Sequence, residues 1–141
     1  MNQFFDEERM RGLAVSPEVR NQCNVFASEN GILVTEMENG TATVEMTVTE
    51  HVMNPWGSVH GGCLFTMADV AAGAATNTVM QAPTTVNSSF SYLRPGLNAA
   101  KLTAKGEVIK CGRRVAVARA DVYDQDGQLL CTGTFTYMPI Q

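Results

Sequence analysis

Gly62-Cys63-Leu64-Phe65-Thr66-Met67-Ala68-Asp69-Val70-Ala71-Ala72-Gly73-Ala74-Ala75-Thr76-Asn77-Thr78-Val79-Met80 is the stretch that decides the fold. It is rich in Ala, apolar on most sides, and carries one charge, at Asp69. A helix of that composition belongs in the centre of a domain rather than on its surface. At helical spacing Gly62, Thr66, Asp69, Gly73 and Thr76 form a stripe of small or polar residues. Leu64, Phe65, Ala68, Ala72 and Val79 are expected to lie mostly away from it. The helix should therefore show a greasy side to a sheet and a small, polar side to something else.

The flanks supply the sheet. Residues 50–61 hold a proline and two glycines without either periodicity and read as a loop. Before it, a strand at 32–37 meets a second at Thr41–Val48 across Asn39-Gly40, a two-residue hairpin signal. In the second strand Ala42, Val44, Met46 and Val48 alternate with polar residues, so one face is buried and the other wet. Beyond the helix, Gln81-Ala82-Pro83 is a break, and strands are expected at about 84–93, 100–110, 114–124 and 128–138, with Asp126-Gly127 turning the last pair. Two strands, one buried helix and four more strands predict an α+β fold, an antiparallel sheet wrapped around a single helix. Ser16-Pro17-Glu18 opens a short peripheral helix to about Ala27, ended by Gly31. Residues 1–30 are read as a leading segment of the same domain as residues 31–141.

The 141-residue length leaves room for one core. A net charge of −4 argues against general nucleic-acid affinity, and no stretch approaches the roughly 20 apolar residues of a membrane span. The start Met1-Asn2-Gln3-Phe4-Phe5-Asp6-Glu7-Glu8 lacks the pattern of a secretory signal, so a cytoplasmic location is expected. Cys23, Cys63, Cys111 and Cys131 form no C-x-x-C pair, and only His51 and His60 accompany them; free thiols are expected rather than a metal site. No Lys or Arg lies between Arg20 and Arg94, and seven of the ten cations follow that gap. Such a bias suits a phosphorylated ligand or, equally, solvated strand faces.

Asp69 carries the chemical question, because burying a carboxylate costs several kcal/mol unless it is paired, hydrogen-bonded or protonated. Its own helix offers no cation. It either performs chemistry or accepts hydrogen bonds, from Thr66 or a neighbouring strand, that merely fix packing. His60-Gly61-Gly62 lies where the first helical N–H groups lack partners. With no Cβ at Gly61, a substrate carbonyl can approach the main chain and take its N–H, as in an oxyanion hole. The alternative is that the glycines only permit a tight entry into the helix. Eight residues separate Gly61 from Asp69, about 12 Å at 1.5 Å per residue, so one acyl carbon cannot touch both. If both serve one reaction, two helices must lie antiparallel across a two-fold axis, each Gly61 facing the other subunit's Asp69.

The run Asn54-Pro55-Trp56-Gly57-Ser58-Val59-His60-Gly61-Gly62, with Ala68-Asp69 after it, resembles the signature of the hotdog-fold thioesterases of the phenylacetate-degradation type. Thr85-Val86-Asn87, Phe90-Ser91-Tyr92-Leu93-Arg94-Pro95, Gly112-Arg113-Arg114 and Asp124-Gln125-Asp126-Gly127 extend the resemblance, which covers about residue 30 to the C-terminus. It implies a hotdog fold and hydrolysis of an acyl-CoA, aromatic or medium-chain, to a free acid and CoA. No metal or redox cofactor is implied, CoA being part of the substrate. Asp69 is implied as general base or nucleophile, Gly61 as donor to the thioester oxygen, Asn54 as a group placing carbonyl or water, and Thr85 as the residue positioning the attacking water. His60 is implied in support, with a general-base role as the alternative. Arg94, Lys110, Arg113 and Arg114 are the candidates for CoA phosphates. His51 and Trp56 are read as loop packing, while Met53, Trp56, Phe65 and Met80 are candidates for shaping the acyl pocket. The assembly implied is at least a homodimer and further a homotetramer, with no nucleic-acid or membrane partner. Two rivals are a catalytically idle acyl-CoA-binding hotdog protein and a hotdog dehydratase or hydratase.

Overall fold

The computed structural model describes residues 6–140; the remainder of the leading segment and of the quoted N-terminal start, residues 1–5, lies outside the described residues. Three short helices come first: α1 (Glu7–Val15), α2 (Pro17–Cys23) and α3 (Val25–Glu29). Ser16 caps α2 through its side chain and Pro17 occupies the first turn, as expected. The single helix expected to about Ala27 is instead two, because Asn24 ends α2 and caps α3 by accepting the Ala27 N–H at 3.2 Å. Helix α1 was not anticipated. It buries no residue, so it has no apolar periodicity to betray it, and its start is set by Asp6 accepting the Arg9 N–H.

Strands β1 (Leu33–Glu38) and β2 (Thr41–Thr47) form the expected hairpin, with both turn residues at positive φ, Asn39 at 48° and Gly40 at 79°. Helix α4 (Gly61–Asn77) follows, then β3 (Pro83–Tyr92), β4 (Lys101–Cys111), β5 (Ala116–Tyr123) and β6 (Leu129–Pro139). The six strands make one antiparallel sheet in the order β1-β2-β4-β5-β6-β3. Strand β3 therefore crosses to the far edge, beside the C-terminal strand, and its residues are mostly exposed.

Helix α4 lies across the inner face of this sheet, and alanines on both sides let it come close. Ala71, Ala72, Ala74 and Ala75 are fully buried, as are Ala104, Ala116, Ala118 and Ala120 of β4 and β5. The contact is tightest at Gly106, where a Cβ would collide with the Ala71 carbonyl. Larger side chains fill the remainder, among them Val44, Met46, Met67, Leu102, Leu130 and Phe135. The helix ends at Asn77, three residues before Met80, because Thr78 turns its hydroxyl back to the Ala75 carbonyl and accepts the Gly40 N–H at 2.7 Å.

The expected stripe along α4 is only half right. Gly62 is exposed and Thr66 and Asp69 are half-buried, but Gly73 and Thr76 are buried beneath other elements. Phe65 does not lie away from Asp69. It packs against Phe90 of β3 and Phe135 of β6, the two strands that also reach Asp69. Val79, beyond the helix, is exposed. None of the described helices is long and apolar enough to cross a membrane.

Candidate active site

The first turn of α4 is organised by His60. Its Nδ1 accepts the Gly62 N–H at 2.9 Å, and its carbonyl accepts the N–H groups of Cys63 and Leu64. Among the described residues no acceptor is placed on the Gly61 N–H, which is left at the positive end of the helix dipole. The missing Cβ of Gly61 serves a neighbour the sequence reading did not foresee. A Cβ there would stand 3.3 Å from the ring of Tyr92, whose hydroxyl donates to the Gly61 carbonyl at 2.9 Å.

Two turns along, Asp69 is held by β3 and β6. The Thr85 hydroxyl donates to Asp69 Oδ1 at 2.9 Å. The Tyr137 hydroxyl donates towards the same oxygen at 3.0 Å and towards the Asp69 carbonyl at 3.1 Å. Thr66 is not a partner; its hydroxyl caps back to Gly62 O at 2.8 Å. The neighbouring-strand alternative for Asp69 is thus present in the molecule, yet the carboxylate is half-buried rather than sealed. Tyr137 is 2% exposed, and burial, with Asp69's charge second, pushes its phenol far above the ordinary tyrosine range.

A cation does approach from outside the helix. Arg20 of α2 donates through Nη1 to Asn77 Oδ1 at 2.8 Å and to the Leu13 carbonyl at 3.3 Å, while Nη2 lies over Gly73. Burial lowers the guanidinium from its ordinary value, and the nearby Tyr137, Asp69 and Cys23 partly offset this. Helix α2, expected to be peripheral, therefore reaches the turn of α4 that follows Asp69. Tyr137, Tyr92 and Arg20 escaped the sequence reading because each lies remote in the chain from the residue it serves.

Asn54 is spent largely on its own loop: its Oδ1 accepts from the N–H groups of Trp56 and Ser58, and its Nδ2 donates to Ser58 Oγ at 2.8 Å. One amide hydrogen remains for another acceptor. The packing role read for His51 and Trp56 is corrected; both are exposed, Trp56 at 84%. Met80 is buried, and the half-buried Phe65 belongs to the aromatic cluster with Phe90 and Phe135. Of the four cations, Lys110, Arg113 and Arg114 share one depression of 590 Å³ at the β4–β5 turn, with Gly112, Val115 and Val117. Arg94 is not with them. It follows β3 and donates its N–H to Leu130, whereas the β4–β5 turn lies beside Tyr137, about 23 Å away along β6 at 3.3 Å per residue.

The fold has known counterparts. Residues 57–131 match the family described as the thioesterase superfamily. The chain belongs to that superfamily. The acyl-coenzyme A thioesterase PaaI of Escherichia coli (strain K12) is 36% identical over 95 residues, 67% of this chain and 68% of that protein. The solved structure of the E. coli PaaI protein from the phenylacetic acid degradation operon superposes with a TM-score of 0.82 at 27% identity, over 95% of both chains. A thioesterase structure from Streptococcus pneumoniae TIGR4 with coenzyme A aligns at a TM-score of 0.71 and 33% identity, over 76% of this chain and 86% of that one. The six-stranded antiparallel sheet around one long helix is the hotdog architecture that the resemblance implied. Within this thioesterase-superfamily chain the matched stretch contains Gly61, Asp69 and Thr85, while Asn54 and Tyr137 fall outside it.

Proposed function

We propose that this chain hydrolyses acyl-CoA thioesters to a free acid and CoA, with Asp69 acting through a site that a second copy completes. One observation carries the reading: an anchored, half-buried carboxylate on α4, with an unclaimed N–H at that helix's start. The related acyl-CoA thioesterase and the relative solved with coenzyme A support the substrate class. In the base route Asp69 takes a proton from water, and the hydroxide adds to the thioester carbon while the Gly61 N–H of the other copy steadies the oxyanion. The C–S bond then breaks and the CoA sulfur leaves with its electron pair, later taking a proton. In the nucleophilic route Asp69 adds to that carbon directly, CoA leaves, and water cleaves the resulting anhydride. Both use water alone as co-reactant, without metal or redox cofactor.

The separation of Gly61 and Asp69 along one unbroken helix supports a homodimer, because about 12 Å is too far for one acyl carbon to bridge. The exposed edge of β3, next to Thr85, is a surface on which a second copy can complete the site. Pairing of dimers into a homotetramer is carried by the resemblance. Lys110, Arg113 and Arg114 form the best-placed cluster for the CoA phosphates; Arg94, at the other end of the sheet, would join a phosphate only from the second copy. His60 supports the site as helix cap, Thr85 holds Asp69, and Asn54 retains one donor for carbonyl or water. A cytoplasmic site of action fits a CoA substrate.

Turnover on a panel of aromatic and medium-chain acyl-CoAs tests the proposal, with Asp69→Asn as the decisive variant. Loss of turnover in Asp69→Asn supports it; wild-type rates in that variant sink it. Binding without turnover in the unaltered protein would favour the idle binder, and water addition to an enoyl thioester the hydratase.

A further inference from the structure

We infer that Tyr137 is a positioning residue for the reaction: with Thr85 it ties down Oδ1 of Asp69 and so reserves Oδ2 as the oxygen that meets water or thioester. The inference rests on the reading of Asp69 as the reacting group. Both hydroxyls point to the same carboxylate oxygen, at 2.9 and 3.0 Å, and no donor among the described residues is placed on Oδ2. A carboxylate otherwise rotates about its χ2 bond and presents its oxygens interchangeably. Two donors on one of them break that equivalence.

Tyr137 suits this task better than a surface hydroxyl would. Its ring is almost fully buried at the end of β6, beside Thr85 of β3 in the strand register, so the donor is fixed by the sheet itself. Its single hydroxyl hydrogen is shared between Oδ1 and the Asp69 main-chain carbonyl, at 3.0 and 3.1 Å, so one donor bridges side chain and backbone of α4 to the same strand. Its phenol is pushed well upward by burial, so it keeps the proton it donates. The groups that bear charge or titrate around Asp69 are Tyr137 from β6 and, over the next turn, Arg20 from α2. Tyr137 touches neither thioester nor water; it acts through Asp69.

Tyr137→Phe keeps the ring and removes the donor. The expected result is a kcat lower by roughly 10- to 150-fold, the range for one hydrogen bond to a charged group. KM should be little changed, so that the loss falls on kcat. Site-specific 3-fluorotyrosine at the same position, a stronger donor of nearly equal shape, should hold kcat at or above the wild-type value with KM unchanged, and it stands in if the phenylalanine variant does not fold. A Tyr137→Phe enzyme with wild-type kcat, or one whose loss lies in KM with kcat intact, overturns the proposal, as does a fluorinated enzyme whose kcat falls well below wild type. Asp69→Asn separates the two levels. If it is inactive while Tyr137→Phe is unaffected, only the Tyr137 assignment fails; if it is fully active, the reading of the site fails.

Discussion

His60 accepts the Gly62 N–H on Nδ1 at 2.9 Å, so the histidine beside the candidate oxyanion donor is the cap of its helix. The bond occupies Nδ1 and, in the neutral ring, leaves Nε2 to carry the hydrogen. His60→Ala should lower unfolding free energy by about 1 kcal/mol, the usual size of a lost N-cap, and reduce turnover by letting Gly61 drift. His60→Asn, which can cap, should recover most of the stability. Urea unfolding read beside acyl-CoA turnover checks both. A turnover loss in His60→Asn as deep as in Asp69→Asn would instead restore the general-base role.

Gly106 sets how closely α4 approaches the sheet. Gly106→Ala should destabilise the protein by at least about 1–3 kcal/mol, because the added methyl meets the rigid backbone of Ala71 rather than a movable side chain. Thermal unfolding gives the answer, and an unchanged melting temperature would show that the helix rides higher on the sheet.

The β4–β5 turn predicts a binding effect separable from chemistry. Replacing Arg113 and Arg114 together by Glu should raise KM for acyl-CoA about tenfold or more and weaken its salt dependence, with kcat nearly unchanged. Steady-state kinetics at two ionic strengths would show it. Equal KM values would move the CoA phosphates elsewhere, with Arg94 the next candidate.

Alkaline pH should unfold the protein in a defined window. Burial pushes the thiols of Cys63 and Cys131 up to about 11 from an ordinary 9.0. Below the unfolded value both states keep their protons and these groups add no pH dependence. As pH rises above it, the unfolded chain ionises first and stability falls, continuing until the folded thiols also titrate. Denaturant midpoints should therefore begin to fall as pH rises through about 9, with the buried Tyr137 phenol extending the loss to higher pH. Cys63→Ala and Cys131→Ala should each flatten that slope. In alkylation at neutral pH, the exposed Cys111 should react before the buried Cys131.

How far the sequence led differs from element to element. The buried helix, its single charge, the hairpin at Asn39-Gly40, the turn at Asp126-Gly127 and four downstream strands were all legible, because composition, period and turn chemistry act over a few residues. So was the distance between Gly61 and Asp69, since helical rise is independent of context. The partners of those residues were not legible. That Tyr137 and Thr85 share one oxygen of Asp69 requires β3 to cross the sheet and pair with β6. That Gly61 faces Tyr92, that Arg20 covers Gly73, and that the lower half of the stripe is buried follow from the same crossing and from α2 folding back. Helix α1, with no buried face, left no pattern at all. Local order is written in short-range periodicity, whereas the choice of neighbours depends on which surfaces exclude water together, and that is decided only when the whole chain has packed.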